Sequence, residues 1–179
     1  MHDFYDFLFK VITDEVRNDE MKIRRVNIAD PGILVQLMQL QKACLPYDKP
    51  YPIDGGYWWI AYEGDEPVGF GGVVQSVRWG DCGYLCRSGV VPYFRGRGIQ
   101  KKLIKVRIAH AKAIGWNWLV TDTTDNPASA NSLISCGFKM YTPANPWSFK
   151  NACYWKYKVN QDAVQRRERK KKQAQGVQP

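Results

Sequence analysis

The segment 88–103, SGVVPYFRGRGIQKKL, carries the residues whose types and spacing best suit the binding of an anion. An apolar run ending at Val91 predicts a strand, and the pattern that begins after Gly98 predicts an amphipathic helix. Backbone N–H groups at a helix start point toward the preceding loop, where the helix dipole favours negative charge. Gly96 and Gly98 allow close backbone approach to a phosphate, and four basic side chains surround them: Arg95, Arg97, Lys101 and Lys102.

Two common nucleotide-binding motifs do not fit this loop. A dinucleotide fingerprint requires a third glycine three positions after Gly98, and this chain has Lys101 there. A Walker A loop requires Gly-Lys followed by Ser or Thr, which this segment lacks. Gly-x-Gly alone is also compatible with a tight turn that binds nothing. A second motif is therefore needed to identify a ligand.

That second motif is Asn-Pro-Ala-Ser at 126–129, followed by the pair Gly137-Phe138. Together the two motifs resemble the GNAT superfamily of N-acetyltransferases. Arg95 and Gly98 meet the family's pyrophosphate-loop pattern, Gln/Arg-x-x-Gly-x-Gly/Ala, whereas Gln100 stands where Gly or Ala is usual. The Asn-Pro-Ala-Ser and Gly-Phe segments resemble those that lie beside the pantetheine arm of the cofactor. The resemblance covers roughly residues 21–159.

The resemblance implies acetyl-CoA as co-substrate and assigns residues to each part of it. In this family two neighbouring central strands splay apart, and the pantetheine arm lies in the gap, paired to backbone groups that here match Val90 and Val91. Asn126 would hold the arm through its amide, although it is also a good helix N-cap. Ser129 would bond the arm or the thiol, with helix capping or a surface role as alternatives. The pyrophosphate would lie against the backbone of Arg95, Gly96, Arg97, Gly98, Ile99, Gln100 and Lys101.

The residues for acid–base catalysis are less well determined. Amine acetylation needs a neutral amine, a positioned thioester, stabilisation of an oxyanion and a proton for the thiolate. The family's frequent proton-donating tyrosine precedes the Gly-Phe pair by four residues, and this chain has Leu133 there. We expect either an unprotonated leaving thiolate or another hydroxyl as the acid, from Ser129, Tyr84 or Tyr141. Asp122 is the candidate base, with a base acting through water, or an exposed surface role for Asp122, as alternatives.

The family builds its acceptor pocket from the loop after the first helix and from the following strands. Aromatic residues with two acids would bind a cationic amine by cation–π contact and ion pairing. For the tryptophans and their neighbours the alternative is core and cross-strand packing. We expect the acceptor at Tyr47, Asp54, Tyr57 and Trp59, with Asp48, Tyr51, Trp58 and Trp79 nearby.

The order of elements predicts an α+β fold with a mixed, mostly antiparallel central sheet flanked by helices. An amphipathic helix over 3–17 precedes it, so we divide the chain into an N-terminal helical extension (1–20), a GNAT-like domain (21–159) and a basic, disordered tail (160–179). Helices are predicted after Asp30-Pro31, over 98–114 and over 128–136. Strands are predicted over 22–28, 57–62, 68–77, 84–91, 116–123, 138–141 and 152–159.

Composition sets limits on location and partners. The 179 residues are 45% hydrophobic and 24% charged, typical of one globular domain. The net charge of +9 suits anionic ligands, and the tail holds six basic residues against two acids. We expect a cytoplasmic protein with no membrane partner, because we find neither a signal peptide nor an apolar run of roughly 18 residues. Five cysteines suit reduced thiols better than disulfides, and Cys82-x3-Cys86 is a poor substitute for a zinc knuckle, so we expect no metal.

Three functions remain open at this point. The first is an N-acetyltransferase that moves an acetyl group to a primary amine by direct attack in a ternary complex. The second is a catalytically weak scaffold of the same fold that is regulatory or binds nucleic acid through its basic tail. Leu133 and Gln100 favour the scaffold, and the intact loop at 95–98 opposes it. The third is an assembly role, such as a homodimer formed through the helix at 3–17.

Overall fold

The computed structural model describes residues 21–160, so the predicted N-terminal helix and basic tail lie outside the described part. The predicted α+β fold is confirmed, and apart from the strand at 84–91 the element ends shift by two residues or fewer. The helices are α1 (Pro31–Cys44), α2 (Ile99–Ala113) and α3 (Pro127–Ser135), with a 3₁₀ turn at Pro92–Phe94. The strands are β1 (Lys22–Val26), β2 (Tyr57–Glu63), β3 (Glu66–Gln75), β4 (Cys82–Tyr84), β5 (Ser88–Val90), β6 (Trp118–Thr123), β7 (Lys139–Tyr141) and β8 (Cys153–Lys158).

The strands form one mixed sheet in the order β1-β2-β3-β4-β6-β8-β7, with β5 paired to β3. The pairing of β4 with β6 is parallel, and the other recorded pairings are antiparallel. A parallel pair needs a long crossover. Here the crossover carries β5, the loop and α2, which places the start of α2 beside the centre of the sheet.

The sheet is covered on both faces, and β2 shows how the sequence directs this. Trp58 and Ile60 pack with Leu37 of α1, whereas Trp59 packs with Leu103 of α2, as the two-residue period of a strand requires. The Asp30 carboxylate accepts from Gly32 N at 2.8 Å and starts α1 as predicted. Met38 of the same helix is 57% exposed, whereas Leu40 and Gln41 are buried.

The predicted strand at 84–91 is divided into β4 and β5. Tyr84 lies opposite Val74, and Gly89 lies opposite Phe70. Five steps along one strand therefore face four along the other, which is the signature of a β-bulge. One extra residue has been inserted between β4 and β5.

The bulge lies at Cys86 and Arg87, which share one partner on β3. Cys86 N donates to Gly72 O at 3.3 Å, and Gly72 N donates to Arg87 O at 2.7 Å. A bulge bends its strand, and the chain parts from β6 after Leu85 N donates to Val120 O at 3.0 Å. Within the part of the chain that the structure describes, β5 pairs with β3 alone. A gap therefore opens between β5 and β6.

Among residues 21–160, no helix has the length and apolar character needed to cross a membrane.

Candidate active site

The predicted anion loop connects β5 to α2 and leaves backbone donors free at the helix start. Gly96 has φ +82° and Gly98 has φ +75°, a backbone conformation that only glycine adopts without strain. At the start of α2, Lys102 N donates a hydrogen bond to Gly98 O, and no side chain caps the helix. The N–H groups of the preceding helical residues have no carbonyl within the helix. These N–H groups suit a phosphate. The space beside the loop is open, because a Cβ at either glycine would meet nothing within 4 Å.

The two arginines of the loop point in different directions. Arg95 Nε donates to Val90 O at 3.1 Å, and its Nη2 donates to Cys44 O at 3.4 Å, which ties the loop to β5 and α1. Arg97 Nη1 instead contacts both carboxylate oxygens of Glu63 at 2.8 Å. The expectation that the Arg97 side chain adds charge around a bound phosphate therefore does not hold. Only its backbone belongs to the predicted cradle.

Backbone groups of β5 are available to an extended ligand in the gap. Arg87 and Val91 use their backbone groups toward β3, and Val91 N donates to Val68 O at 2.9 Å. Because successive residues of an antiparallel strand face opposite sides, the backbone groups of Ser88 and Val90 point toward the gap. The Val90 N–H therefore suits the predicted pairing with a pantetheine arm, whereas the Val90 carbonyl already accepts from Arg95 Nε. The Val91 N–H does not suit this pairing, because β3 already binds it.

Two neighbouring cavities make one groove across this region. One, of about 410 Å³, lies against the loop from Arg95 to Lys101. The other, of about 420 Å³, extends along the splayed strands to Asp122. Both are lined by a common set of residues: Leu45, Ser88, Gln100, Asn126 and Ser129. Apart from Val91 and Arg97, which line neither cavity, the predicted cofactor residues and the candidate base thus line two adjoining cavities.

Asn126 and Ser129 occupy the centre of this groove. Asn126 Oδ1 accepts from Ser129 N at 3.0 Å, so the capping role of Asn126 is present. A side-chain amide has two donors on its nitrogen as well, and these are left to a ligand. The Ser129 hydroxyl is half-buried and lines both cavities, in agreement with the predicted contact to the arm or thiol.

Asp122 lies at the other end of the groove as a half-buried carboxylate, so the alternative of an exposed surface role does not hold. Tyr84 Oη donates to its Oδ1 at 2.8 Å, and Trp147 Nε1 donates to the same oxygen at 3.1 Å. Ser148 Oγ donates to Oδ2 at 2.8 Å. A carboxylate offers about four acceptor positions, so about one remains for a ligand.

Tyr84, the second predicted acid–base residue, has a phenol with a raised pKa that stays protonated at neutral pH. Burial raises the pKa of its phenol well above the usual range, and the adjacent Asp122 carboxylate raises it further. Its proton already bonds to Asp122. Tyr84 therefore fits a residue that orients Asp122 better than one that donates a proton to a thiolate.

The predicted acceptor residues are not brought together. Tyr57 and Trp59 lie on the α2 face of β2, with ring centroids 4.1 and 5.3 Å from that of His110, and fit the core alternative. The side chain of Tyr47 is fully exposed, and Asp54 lines a separate apolar cavity beside α1. The groove wall on this side is formed instead by Asp48, Tyr51, Arg87, Ser148 and Phe149.

Sequence reasoning missed three parts of the site. Asp48 and Tyr51 were expected near the acceptor, but Arg87, which pairs with Asp48 and lies over the Tyr51 ring, was not, because no sequence motif links these positions. Trp147 and Ser148 come from an irregular segment with no periodicity. Arg107 had a signal, since it interrupts the apolar face of α2 that Leu103 and Ala111 define.

The sequence model of the acetyltransferase (GNAT) family matches residues 33–138, more than half of the chain. No curated protein sequence matches significantly.

Solved structures share the fold at low identity. The ribosomal-protein-S18-alanine N-acetyltransferase of Escherichia coli aligns with a TM-score of 0.62 at 14% identity, over 78% of this chain and 94% of that one. A Bacillus subtilis acetyltransferase in complex with CoA gives 0.61 at 15%, over 78% and 99%. A Salmonella typhimurium protein with its cofactor acetyl-CoA gives 0.60 at 17%, over 79% and 95%. The match over residues 33–138, together with the splayed sheet and the loop before α2, means that this chain belongs to the GNAT acetyltransferase family.

Proposed function

We propose that this protein transfers an acetyl group from acetyl-CoA to a primary amine by direct attack in a ternary complex. One observation carries the proposal. The bulge at Cys86 and Arg87 opens a groove formed by two adjoining cavities, one against the anion loop before α2 and the other reaching the Asp122 carboxylate. A cofactor entering from the loop and an amine bound at Asp122 would meet within it.

The donor half of the groove supplies binding and oxyanion stabilisation. The backbone before Lys102 would bind the pyrophosphate, and Val90 would pair with the pantetheine arm. The N–H of Ser88 points into the gap two residues earlier along β5. A fixed backbone donor at this place would stabilise the oxyanion that forms when the thioester carbonyl is attacked.

The acceptor half supplies negative charge and an aromatic ring. Asp122 has about one acceptor position left for an ammonium or amine hydrogen. Tyr51 and Asp48 line the wall nearby, although Asp48 already pairs with Arg87. We assign to Asp122 the orientation of the amine and the acceptance of its proton, directly or through water.

Direct attack is favoured over an acetyl-cysteine intermediate. Cys86 and Cys44 are the thiols that line the two cavities. Burial raises the pKa of each to about 11, so both thiols are protonated at neutral pH and are weak nucleophiles. The acyl group would therefore pass straight from cofactor to amine.

The test is a panel of primary amines assayed by release of free CoA thiol, with Asp122→Asn as the variant. We expect the KM for the best amine to rise at least about tenfold in Asp122→Asn while the KM for acetyl-CoA stays within about twofold. The control is Asp65→Asn, which changes an exposed acid in the β2–β3 turn. An Asp122→Asn enzyme as active as the control would contradict the assignment, and retention of activity in Cys86→Ala is required for direct attack.

A further inference from the structure

Arg107 is a buried cation on the inner face of α2 and forms part of the groove wall. Its side chain is 2% exposed. Nε donates to Leu103 O at 2.9 Å, Nη1 donates to Gly72 O at 3.2 Å, and Nη2 donates to Ser88 Oγ at 3.3 Å. All three acceptors are uncharged. Among residues 21–160, the ion pairs are those of Arg87 with Asp48 and of Arg97 with Glu63, and no carboxylate neutralises Arg107.

The fold makes room for this charge. A Cβ at Gly71 would lie 3.0 Å from the Arg107 Cζ, closer than ordinary side-chain contacts, so the bare glycine backbone of β3 admits the guanidinium. Burial lowers the pKa of Arg107 to about 10, which still leaves it protonated at neutral pH. A buried charge without a counter-ion is unfavourable, which makes its presence in the groove wall informative.

The neighbours of Arg107 do not supply a negative charge. The thiols of Cys86 and Cys136 lie close enough to influence it, but burial raises the pKa of both, so they are neutral at neutral pH. A guanidinium has five N–H groups, and three of them reach the acceptors above. The other two have no acceptor among residues 21–160, and Arg107 lines a cavity together with Leu133.

Leu133 stands where the resemblance places a tyrosine that protonates the leaving thiolate. It is buried at 3% exposure and has no group that could donate a proton. Leu133, which stands at the position of the missing acid, and Arg107, the cation without a counter-ion, therefore line the same cavity.

We propose that Arg107 is a further catalytic residue, which stabilises the CoA thiolate by charge in place of a proton donor. The assignment rests on the proposed acetyl transfer. As the amine nitrogen bonds to the acetyl carbon, the carbon–sulfur bond breaks and its electron pair stays on sulfur. The amine proton goes to Asp122 or water, and the thiolate takes a proton from solvent after release.

Charge complementarity gives the catalytic advantage. The thioester is neutral in the bound donor, and negative charge appears on sulfur only as the bond breaks. A fixed cation in the wall of the cavity therefore binds the transition state more tightly than the ground state. Loss of the cation is expected to lower kcat by about a hundredfold while changing the KM for acetyl-CoA by less than about threefold.

The direct test is the ionisation of CoA bound to the full chain, followed by thiolate absorbance in the ultraviolet. Desulfo-CoA, which lacks the thiol, provides the reference that cancels the protein's own cysteines and tyrosines. In the wild-type protein we expect the bound thiol to ionise at least about one pH unit below free CoA. The shift should vanish in Arg107→Gln and persist in part in Arg107→Lys.

The outcomes distinguish a failure of the proposed acetyl transfer from a failure of the role of Arg107. Failure of CoA and desulfo-CoA to bind the wild-type protein would overturn both the acetyl transfer and the role of Arg107. Binding in which the pKa of the CoA thiol is unchanged from that of free CoA would overturn the role of Arg107 alone. This result comes from the wild-type protein, so it does not depend on whether a variant folds. An equal shift in Arg107→Gln would also overturn the role of Arg107, whereas loss of the shift with unchanged affinity for desulfo-CoA would support it.

Discussion

The hydroxyl of Tyr84 donates to Oδ1 of Asp122 at 2.8 Å, which joins the end of β4 to β6 at the point where the two strands separate. Burial and the neighbouring carboxylate both raise the pKa of Tyr84, so the phenol stays protonated. The contact fixes the orientation of the carboxylate that faces the acceptor half of the groove. In the proposed mechanism Tyr84 is therefore a positioning residue, and Asp122 is the residue that contacts the amine.

Replacement of Tyr84 by Phe tests this division of roles. The change removes one of three donors to Asp122 and leaves Trp147 and Ser148 in place. We expect kcat/KM for the amine to fall by no more than about a hundredfold, the equivalent of one hydrogen bond to a charged carboxylate, with an unchanged pH profile. A loss above a hundredfold, or a missing limb in the profile, would show that Tyr84 transfers a proton.

The two cations near the anion loop should contribute differently to cofactor binding. Arg97 is paired with Glu63, whereas Lys101 lines the cavity against the loop. We expect Lys101→Gln to weaken acetyl-CoA binding several-fold at low salt and less at high salt, and Arg97→Gln to change it by less than about twofold. Calorimetric titration at two salt concentrations measures both. A larger loss in Arg97→Gln than in Lys101→Gln would show that Arg97 leaves Glu63 to bind the cofactor.

The close approach of β3 to Arg107 makes Gly71 sensitive to the addition of one methyl group. A Cβ there would lie 3.0 Å from Arg107 Cζ and 3.1 Å from Ser88 Oγ. We expect Gly71→Ala to lower the free energy of unfolding by about 1–3 kcal/mol, as overpacked core sites do. Gly80→Ala, where a Cβ meets nothing within 4 Å, should stay within about 0.5 kcal/mol in the same urea titration. Equal stability of the two variants would show that the guanidinium moves aside freely.

Buried thiols make the fold sensitive to alkaline pH. Burial raises the pKa of Cys44 from 9.0 to about 11 and that of Cys82 from 9.0 to about 12. The folded protein keeps these protons while the unfolded chain loses them, so stability is full below pH 9 and declines above it. Each such proton contributes ~1.4 kcal/mol per pH unit. Burial lowers the pKa of Arg107 to about 10, so above pH 10 the folded protein loses this proton before the unfolded chain does. This group alone would therefore make stability rise with pH in that range.

Urea unfolding between pH 8 and 10 measures this slope. Cys82→Ala should flatten it, even though the variant is less stable overall, and replacement of the exposed Cys153 by Ala should leave it unchanged. A slope that is identical in wild type and Cys82→Ala would contradict the assignment.

The sequence predicted the fold well wherever local signals were strong. The Asp30-Pro31 cap, the glycines of the loop and the apolar run of β2 are each typical of the element that they form. The predicted strand at 84–91 failed because a bulge adds one residue without changing the apolar character of the strand. That single insertion produces the gap on which the site depends.

The donor half of the site could be predicted because a contiguous segment forms it. In the acceptor half, Asp48, Tyr84 and Asp122 were predicted one by one, but their arrangement with Ser148 was not, because the four residues come from separated segments that meet only in the folded sheet. Tyr57 and Trp59 show the reverse problem. Their aromatic character suits a binding pocket and a core equally, and the register of β2 places them in the core.

The most direct test of the account is a calorimetric titration of acetyl-CoA into the wild-type protein and two matched variants. Gly98→Glu and Gly115→Glu both place a charged side chain at an open, positive-φ glycine, at opposite ends of α2. The two sites are about 25 Å apart along the helix, so only the first faces the anion loop. We predict micromolar binding in wild type and Gly115→Glu and none in Gly98→Glu. Absence of binding in wild type, or equal binding in all three proteins, would contradict the assignment of the loop as the cofactor site.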